Sequence, residues 1–299
     1  MFVIQMVFNN QQMIPMFISF IILISVSIIL LYKRKMTKKI AIIILTFSVL
    51  VPGFILSSAA SPVFLIQQIF TSLYTILHTT IVNQLLMQTI IMLSIMLTVF
   101  IVITILFGRI FCSYACPLGA CQELASKILF PSKLNELKKK RKYTIRIPNK
   151  VAKIFRFGVF ISMTILSMVW GIALFEVINP FAGFGIFWNL SNITLAEVFI
   201  PIILLTVIIV SSFFVYRPWC RFFCPFGMIA DLISRFSIIK FSRTDKCTKC
   251  KACEKICPTG EAFADSNKSE CYTCIRCVEI CPVNALKFGR KVRKDYTAE

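Results

Sequence analysis

The chain has 299 residues, of which 58% are hydrophobic and 15% are charged, and its formal net charge is +20. This apolar share is far above that of a soluble domain and predicts a membrane protein. All 33 Lys and Arg residues lie within three regions, 33–39, 109–156 and 217–294. Because basic residues collect on the cytoplasmic side of membrane proteins, this pattern indicates topology and argues against a nucleic-acid partner.

Five apolar stretches are long enough to cross the hydrocarbon core of a bilayer, which is about 30 Å thick. We predict transmembrane helices at Ile14–Tyr32, Ile40–Ala59, Leu85–Phe107, Phe157–Ile178 and Leu195–Tyr216. Five crossings place all three basic regions on one side, with the N-terminus outside the cytoplasmic membrane and the C-terminus in the cytoplasm. A sixth stretch, Pro62–Gln84, carries several Gln and Thr residues. A sixth crossing there would place the basic regions on opposite sides of the membrane. We therefore expect this stretch to lie along the outer surface or to re-enter the membrane from it.

The chain contains an internal repeat centred on two Cys motifs. The segment "GRIFCSYACPLGACQELASKI" (108–128) aligns with "YRPWCRFFCPFGMIADLISRF" (216–236). We predict one extra helix followed by two parallel repeats, about 40–128 and 157–236, each with two spans, a Cys-rich exit and an amphipathic helix on the inner surface. The Pro after each second Cys suits the first turn of a helix, and the Gly two residues later permits close backbone approach.

The two Cys pairs are candidate ligands of one shared redox site at the inner membrane surface. Each pair is spaced i,i+4, which places both sulfurs on one face of a helix. Arg109 and Arg217, beside the motifs, would offset part of the thiolate charge. The alternatives are a copper site, since soft thiolates favour Cu(I), and pairs that only brace the helix exits. We interpret Cys121, which has no equivalent in the second repeat, as a small buried hydrophobe. The predicted shared ligands are Cys112, Cys116, Cys220 and Cys224.

The last part of the chain, 241–299, predicts a soluble α+β ferredoxin-type domain. Its runs "CTKCKACEKICP" (247–258) and "CYTCIRCVEICP" (271–282) both follow the C-x2-C-x2-C-x3-C-P spacing of two-cluster ferredoxins, in which the fourth Cys of each run binds the other cluster. Zinc sites use paired Cys, and disulfides are rare in the cytoplasm. We therefore assign one [4Fe–4S] cluster to Cys247, Cys250, Cys253 and Cys281, and the second to Cys271, Cys274, Cys277 and Cys257.

The paired motifs, the stretch "WGIALFEVINP" (170–180) and the ferredoxin tail together resemble NapH-type membrane iron–sulfur proteins. The membrane core, 1–240, is also similar to the C-terminal part of NosR-type proteins and to CcoG-type proteins. This resemblance covers about 30–299 and implies electron transfer between the quinone pool and a redox partner protein, as in a quinol dehydrogenase subunit. The absence of the flavin domain of NosR-type proteins and of the C-terminal extension of CcoG-type proteins favours the NapH type.

The competing functions are a copper reductase or maturation factor and a redox sensor, for which the sequence shows no output domain. His78, the single histidine, is a candidate hydrogen-bond donor to a quinone, with a satisfied polar group as the alternative. Glu176 is a candidate proton acceptor from a quinol, with an interfacial carboxylate as the alternative. The aromatic stretch 179–188 either lines a ring site or forms an interfacial belt, and we favour the belt.

Overall fold

The structure, a computed structural model, is mostly helical. It describes residues 2–56, 61–78, 84–129, 145, 147–170, 179–185, 195–263 and 266–290, with the side chains of 2–13, 85, 128–129 and 195–198 left aside. The long helices are α1 (Phe2–Tyr32), α2 (Lys38–Ser48), α3 (Pro62–His78), α4 (Gln84–Phe107), α5 (Pro117–Leu129), α6 (Asn149–Val169), α7 (Leu195–Phe214) and α8 (Pro225–Ser234).

Four helical stretches are long and apolar enough to cross a membrane within the described residues: Ile14–Tyr32, Lys38–Ile55, Leu86–Phe107 and Asn149–Val169. The second consists of α2, whose first turn is capped by Thr37, continued by a π-helical segment, Val49–Ile55. These four agree with four of the five predicted spans. For the fifth, the described apolar part of α7 is the shorter stretch Phe199–Phe214.

Helix α6 begins eight residues before the predicted start at Phe157 and so includes three basic residues, Lys150, Lys153 and Arg156. The hydropathy pattern placed the start after the last charge, because an unpaired charge is costly in a membrane. In the structure Arg156 is fully buried and paired with carboxylates, so its charge does not end the helix.

The short helices after the two Cys motifs lie inside the helix bundle. Helix α5 packs against α2 and α7, and α8 packs against α4 and α6 with a smaller contact to α3. Most of the side chains in α5 and α8 are buried or half-buried. The prediction of amphipathic helices on the inner membrane surface is therefore wrong, because the apolar side chains that suggested an interfacial face pack against neighbouring helices instead.

The C-terminal region carries two short helices and one small sheet. Helix α9 (Ala252–Ile256) lies in the first Cys run and α10 (Arg276–Glu279) in the second. Strands β1 (Ile239–Arg243) and β2 (Leu286–Arg290) flank the two runs and pair antiparallel, with Phe241 opposite Phe288. The sheet also contacts the ends of α1 and α4, so the tail is held against the helix bundle.

Candidate functional site

The two Cys motifs share one backbone conformation. Each first Cys lies in a short π-helical turn, Phe111–Ala115 or Trp219–Phe223, and each second Cys is extended and directly precedes α5 or α8. Pro117 and Pro225 are the first residues of these helices, as the sequence predicts. The prediction that each pair occupies one face of an α-helix is wrong, because the π turn inserts a residue and the second Cys leaves the helix.

The structure nevertheless brings the two pairs together. Cys116 interacts electrostatically with Cys112, Cys220 and Cys224, and Cys224 interacts with Cys112 and Cys220. All four side chains are buried. The sulfur of Cys224 accepts a hydrogen bond from the Gly227 amide at the start of α8, and Cys116 accepts one from the Gly119 amide in the same way. Two of the four sulfurs therefore sit at the positive ends of helices, where anions are favoured.

The Cys pairs lie deep along the neighbouring helices rather than at their ends. The Ser48 hydroxyl donates to the carbonyl of Ala115, next to Cys116, at 2.8 Å. Ser48 lies ten residues after Lys38, which is about 15 Å along a helix and half the thickness of a bilayer core. In the second motif, the ring of Phe226 packs edge-on against Phe111 at 5.9 Å. The motifs thus turn back into the bundle and lie beside the middle of α2 rather than beside its basic end.

Left-handed backbone at the end of α4 and after α7 produces this reversal. Gly108 has φ 67° and Arg217 has φ 50°. Gly119 and Gly227 then permit the helices to close on the motifs, since a Cβ on Gly227 would lie 2.7 Å from the Cys220 carbonyl. A Cβ on Gly119 would likewise collide with the Cys112 carbonyl. The close approach predicted from the sequence is confirmed at both glycines.

Each repeat is locked to the other by a buried ion pair. Arg217 of the second motif pairs with Glu123 of α5, Nε to Oε2, at 3.1 Å. Arg109 of the first motif pairs with Asp231 of α8, Nη2 to Oδ1, at 3.5 Å. The two arginines and the two acids occupy matching positions of the sequence repeat, so the pairing is crossed. Arg109 and Arg217 are thus held beside the Cys pairs by carboxylates as well as by interaction with the thiols.

The second Cys run of the tail joins this network directly. Glu270 accepts from Arg109 at 3.1 Å and from Arg156 at 2.7 Å. Arg276 donates to Glu123 at 3.0 Å, and Arg109 donates to the Tyr272 hydroxyl at 2.7 Å. Both acids and both arginines of the crossed pairs contact the tail, either directly or through a residue that contacts it. The second run and the membrane Cys pairs therefore form one buried assembly.

Backbone contacts reinforce the same junction. The Tyr114 hydroxyl donates to the carbonyl of Thr273 at 2.8 Å, and the Ser113 hydroxyl donates to the carbonyl of Tyr272. Ser113 and Tyr114 lie between Cys112 and Cys116, while Tyr272 and Thr273 lie between Cys271 and Cys274. The two cysteine motifs are therefore hydrogen-bonded to each other through the residues inside them.

The junction carries an excess of positive charge. Five buried guanidinium groups stand against four buried carboxylates, Glu123, Asp231, Glu261 and Glu270, and Asn149 links Glu261 to Arg221. Burial alone would raise the pKa of the Glu270 carboxyl, but Arg109 and Arg156 outweigh burial and hold it below its ordinary value. Within the described residues, the Nε atoms of Arg109, Arg156 and Arg221 have no hydrogen-bond partner. The five are Arg109, Arg156, Arg217, Arg221 and Arg276.

The two runs of the tail repeat one backbone pattern. Lys249 and Lys251 flank Cys250 with φ 52° and 56°, and Thr273 and Ile275 flank Cys274 with φ 46° and 59°. Such left-handed turns point successive amide groups into a concavity that favours anions. The Ala252 amide donates to the Cys250 sulfur and lowers the pKa of that thiol. The Arg276 amide makes the matching contact to Cys274.

The fourth Cys of the first run lies close to the Cys residues of the second run. This is expected for two-cluster ferredoxins, in which the fourth Cys of each run binds the other cluster. Cys277 interacts electrostatically with Cys257, Cys271 and Cys274. The same four residues line a cavity of about 860 Å³ between the tail and the ends of the helices. Burial raises the pKa of the Cys271 thiol to about 12, so ionised sulfur there needs a bound cation or metal core.

The first run is more open to solvent. Cys250 is exposed, while Cys247, Cys253 and Cys281 are half-buried. Cys253 interacts with Cys247, and Arg243 reaches its sulfur at 3.6 Å. Within the described residues, no three His, Cys, Asp or Glu side chains are close enough to hold one metal ion. Thiolates around an iron–sulfur cluster bind different iron atoms, so they stand farther apart than ligands of a single ion.

The other candidates lie apart from this assembly. His78 is exposed at the end of α3, its ring 4.4 Å from that of Tyr74. Glu176 lies outside the described residues.

Phe181 and Phe184 of the aromatic stretch are buried, so this described part is not an interfacial belt. Phe184 packs on Phe54 at 5.2 Å because Gly53 leaves it room. Cys121 is half-buried against the core, close to the prediction.

Sequence reasoning missed Arg156 and Glu270, which belong to no motif. The available signal was their position, since Glu270 directly precedes Cys271, and Arg156 is the last basic residue before an apolar stretch.

The structure also describes part of the stretch Pro62–Gln84. Helix α3 packs against α4 and α6 and touches α8, and its residues from Pro62 to Gln68 are largely buried. It lies within the bundle, which agrees with re-entry rather than with a surface helix.

Two family models match the chain. One, described as a 4Fe-4S binding domain, matches residues 89–139 and again 198–244, which are the two Cys repeats. A second 4Fe-4S binding domain matches residues 243–260, at the first Cys run. One model matching both repeats supports the internal repeat independently of the alignment above.

Curated relatives match about half of the chain. The chain is 32% identical over 153 residues to the uncharacterized protein MJ0750 of Methanocaldococcus jannaschii, covering 51% of this chain and 60% of that protein. It is 26% identical to the ferredoxin-type protein NapH of Haemophilus influenzae, covering 53% and 50%. It is 29% identical to the putative electron transport protein YccM of Escherichia coli, covering 52% and 42%.

The matches span about half of this chain and between two fifths and three fifths of these relatives. No solved structure matches. The family models and the NapH relatives confirm the resemblance to NapH-type iron–sulfur proteins.

Proposed function

We propose that this NapH-type iron–sulfur protein relays single electrons between the quinone pool of the cytoplasmic membrane and a redox partner protein. Two relatives are named ferredoxin-type and electron transport proteins, which supports the relay. The observation that carries the proposal is the junction described above. It joins the deep Cys pairs to the second Cys run through buried hydrogen bonds, among them the bond of 2.7 Å from Arg109 to the Tyr272 hydroxyl. A continuous assembly of this kind suits an electron path between membrane and cytoplasm.

The tail would hold two [4Fe–4S] clusters, each able to accept and release one electron. Cys271, Cys274, Cys277 and Cys257 would bind one, and Cys247, Cys250, Cys253 and Cys281 the other. The left-handed turns of both runs support this, because their amide groups donate to Cys sulfur. The cavity lined by the first set supports it further, since it lies beside the sulfurs assigned to one cluster.

The four deep Cys residues would hold a third iron–sulfur centre. A thiolate-bound cluster is an anion, and an uncompensated buried charge is unstable. The surplus of buried guanidinium groups and their unpartnered Nε atoms suit such an anion at the junction.

Side chains of the protein would hold the Cys residues in a fixed orientation and keep water away from the electron path. Arg217 donates to the Cys112 carbonyl at 2.5 Å, which fixes the first motif against the second repeat, and Arg156 donates to the Cys220 carbonyl at 3.4 Å, which fixes the second motif against α6. Gln122 donates to the Cys220 sulfur at 3.3 Å. These contacts hold the thiols in place and exclude water from the junction, so that little reorganisation accompanies electron transfer.

Five crossings with the N-terminus outside and the tail in the cytoplasm fit the observed packing. Helix α7 occupies the fifth span and is the repeat equivalent of α4. The tail contacts the ends of α1 and α4 that lie next to basic residues, Lys33 and Arg109. The positive-inside rule places those ends in the cytoplasm.

Quinone would bind on the other side of the Cys pairs. There Phe184 and Phe54 form an apolar wall beside Pro117, which directly follows Cys116. His78 and Glu176 stay candidates for hydrogen bonding and proton transfer nearer the outer surface, because a quinol must release protons as it gives up electrons.

The test is oxidation of dithionite-reduced, full-length protein in liposomes. Added quinone should reoxidise the clusters of the wild type, while Cys116→Ser should slow that reoxidation about tenfold or more, since the membrane step is lost. Ferricyanide, which reaches the exposed first run from water, should oxidise both proteins equally. Failure of quinone to oxidise the wild type would disprove the proposed function. Equal quinone rates in both proteins would show that electrons bypass the Cys pairs.

A further inference from the structure

The two runs of the tail have opposite surroundings, and this asymmetry identifies which one meets the partner. Tyr272, Thr273 and Arg276 of the second run are buried against the Cys motifs and α5. In the first run, residues 248–251 are all exposed, including Cys250. The Cys residues of the second run are half-buried, as are Cys247, Cys253 and Cys281, and Cys250 alone among the Cys residues is exposed. The second run therefore packs against the membrane domain, and the first run, through Cys250, is the part of the path most open to solvent.

Charged residues around the exposed run are almost all basic. Four exposed lysines, which we call the lysine rim, stand before, between and after its Cys residues: Lys246, Lys249, Lys251 and Lys255. Asp245 is the one exposed acid in 245–255, and Glu254 is half-buried and paired with Arg243 at 2.6 Å. The face therefore carries a net charge of about +3 in water.

The backbone fixes the direction of two rim lysines. Lys249 and Lys251 both adopt left-handed φ angles on either side of Cys250, a conformation that L residues rarely adopt. The following helix, α9, starts directly after Lys251. The charges thus surround the exposed sulfur, and they are separate from the basic residues of 33–39, which directly follow α1.

We infer that the lysine rim is the docking surface for an acidic, one-electron carrier protein, which exchanges electrons with the first cluster through the exposed edge at Cys250. This inference rests on the proposed function and names the kind of partner for its cytoplasmic end. Complementary charge speeds the encounter of redox proteins, whose interfaces are small and transient. In the exchange, one electron moves between the reduced cluster and the carrier, and no bond forms or breaks.

The experiment measures electron transfer from the reduced, full-length protein to two probes of opposite charge. Flavodoxin is an acidic one-electron carrier and cytochrome c is a basic one. The rim variant replaces the four rim lysines with Gln. The control variant makes the same charge change at exposed lysines elsewhere: Lys33, Lys35, Lys39 and Lys150. Each protein is held in nanodiscs of neutral phosphatidylcholine, and equal cluster EPR signals after dithionite show that the clusters are intact.

The wild type should reduce flavodoxin at least about tenfold faster at low salt than at about 1 M salt, where the Debye length falls to roughly 3 Å. The rim variant should lose most of that salt dependence, and the control variant should keep it. Cytochrome c should react no faster with the wild type than with the rim variant.

Three results would overturn the inference. The first is a flavodoxin rate in the wild type that does not depend on salt, and the second is an equal loss of rate in the rim and control variants. The third is a rim effect that appears only in nanodiscs containing anionic phosphatidylglycerol, which would assign the lysines to the lipid surface. Failure of quinone to reoxidise the clusters, with flavodoxin transfer intact, would instead count against the proposed function alone.

Discussion

Replacing Glu123 with Gln should strongly destabilise the protein, because Glu123 neutralises two buried arginines. Its carboxylate accepts from Arg217 at 3.1 Å, from Arg276 at 3.0 Å and from the Tyr216 hydroxyl at 2.7 Å, and the residue is 2% exposed. Removing one partner of a buried ion pair costs about 3–5 kcal/mol, mostly through the charge left unpaired. That loss corresponds to a melting temperature lower by roughly 10 °C.

The assay follows thermal loss of the monodisperse peak of detergent-solubilised protein in gel filtration. Glu279→Gln is the matched control, because that carboxylate is exposed in the same tail and its removal should cost little. Adding Arg276→Met to Glu123→Gln should recover part of the loss, since one of the two unpaired charges is then gone while that of Arg217 stays. A Glu123→Gln protein that melts within about 2 °C of the wild type, as a surface substitution would, refutes the role given to the buried network.

Three further predictions concern the motifs and the topology. Gly227→Ala, whose Cβ would lie 2.7 Å from the Cys220 carbonyl, should lower metal content at the deep pairs, as should Gly119→Ala; iron assays on full-length protein check this. Cys257→Ala should remove the EPR signal of the cluster at the second run while the cluster at the first run persists; loss of the first-run signal first would reverse the assignment. Reporter fusions should give an outside signal at Asn83 and a cytoplasmic signal at Glu299; a cytoplasmic signal at Asn83 would contradict five crossings.

Hydropathy and spacing were sufficient to predict the parts of the molecule that depend on local sequence. Three spans, Ile14–Tyr32, Lys38–Ile55 and Leu86–Phe107, lie close to their predicted limits because apolar length sets them. The position of α5 and α8 follows from Pro117 and Pro225. The runs of the tail were identified because thiolate spacing is fixed by cluster geometry. The meeting of Cys257 with the second run was likewise expected from spacing.

The depth of the Cys pairs within the bundle could not be predicted from the sequence. It depends on a reversal of the backbone and on ion pairs between residues that are far apart in the sequence. Gly108 and Arg217 turn the chain back, and neither residue alone signals a re-entrant segment. The predicted span was started after Arg156 because of that residue's charge. In the structure Glu270, more than a hundred residues later, neutralises this charge at 2.7 Å. Pairs so distant in sequence leave no trace in local periodicity.

Iron content is the measurement that tests the shared deep site most directly, and it must use the full chain. A chain ending at Lys240 would lose Glu270, which neutralises Arg109 and Arg156, so its failure to bind metal would not be informative. Full-length protein purified anaerobically should contain about twelve iron and as many sulfide per chain, and Cys116→Ser with Cys224→Ser should contain about eight, with tail EPR signals unchanged. About eight iron in both proteins would contradict a third iron–sulfur centre at the deep cysteines.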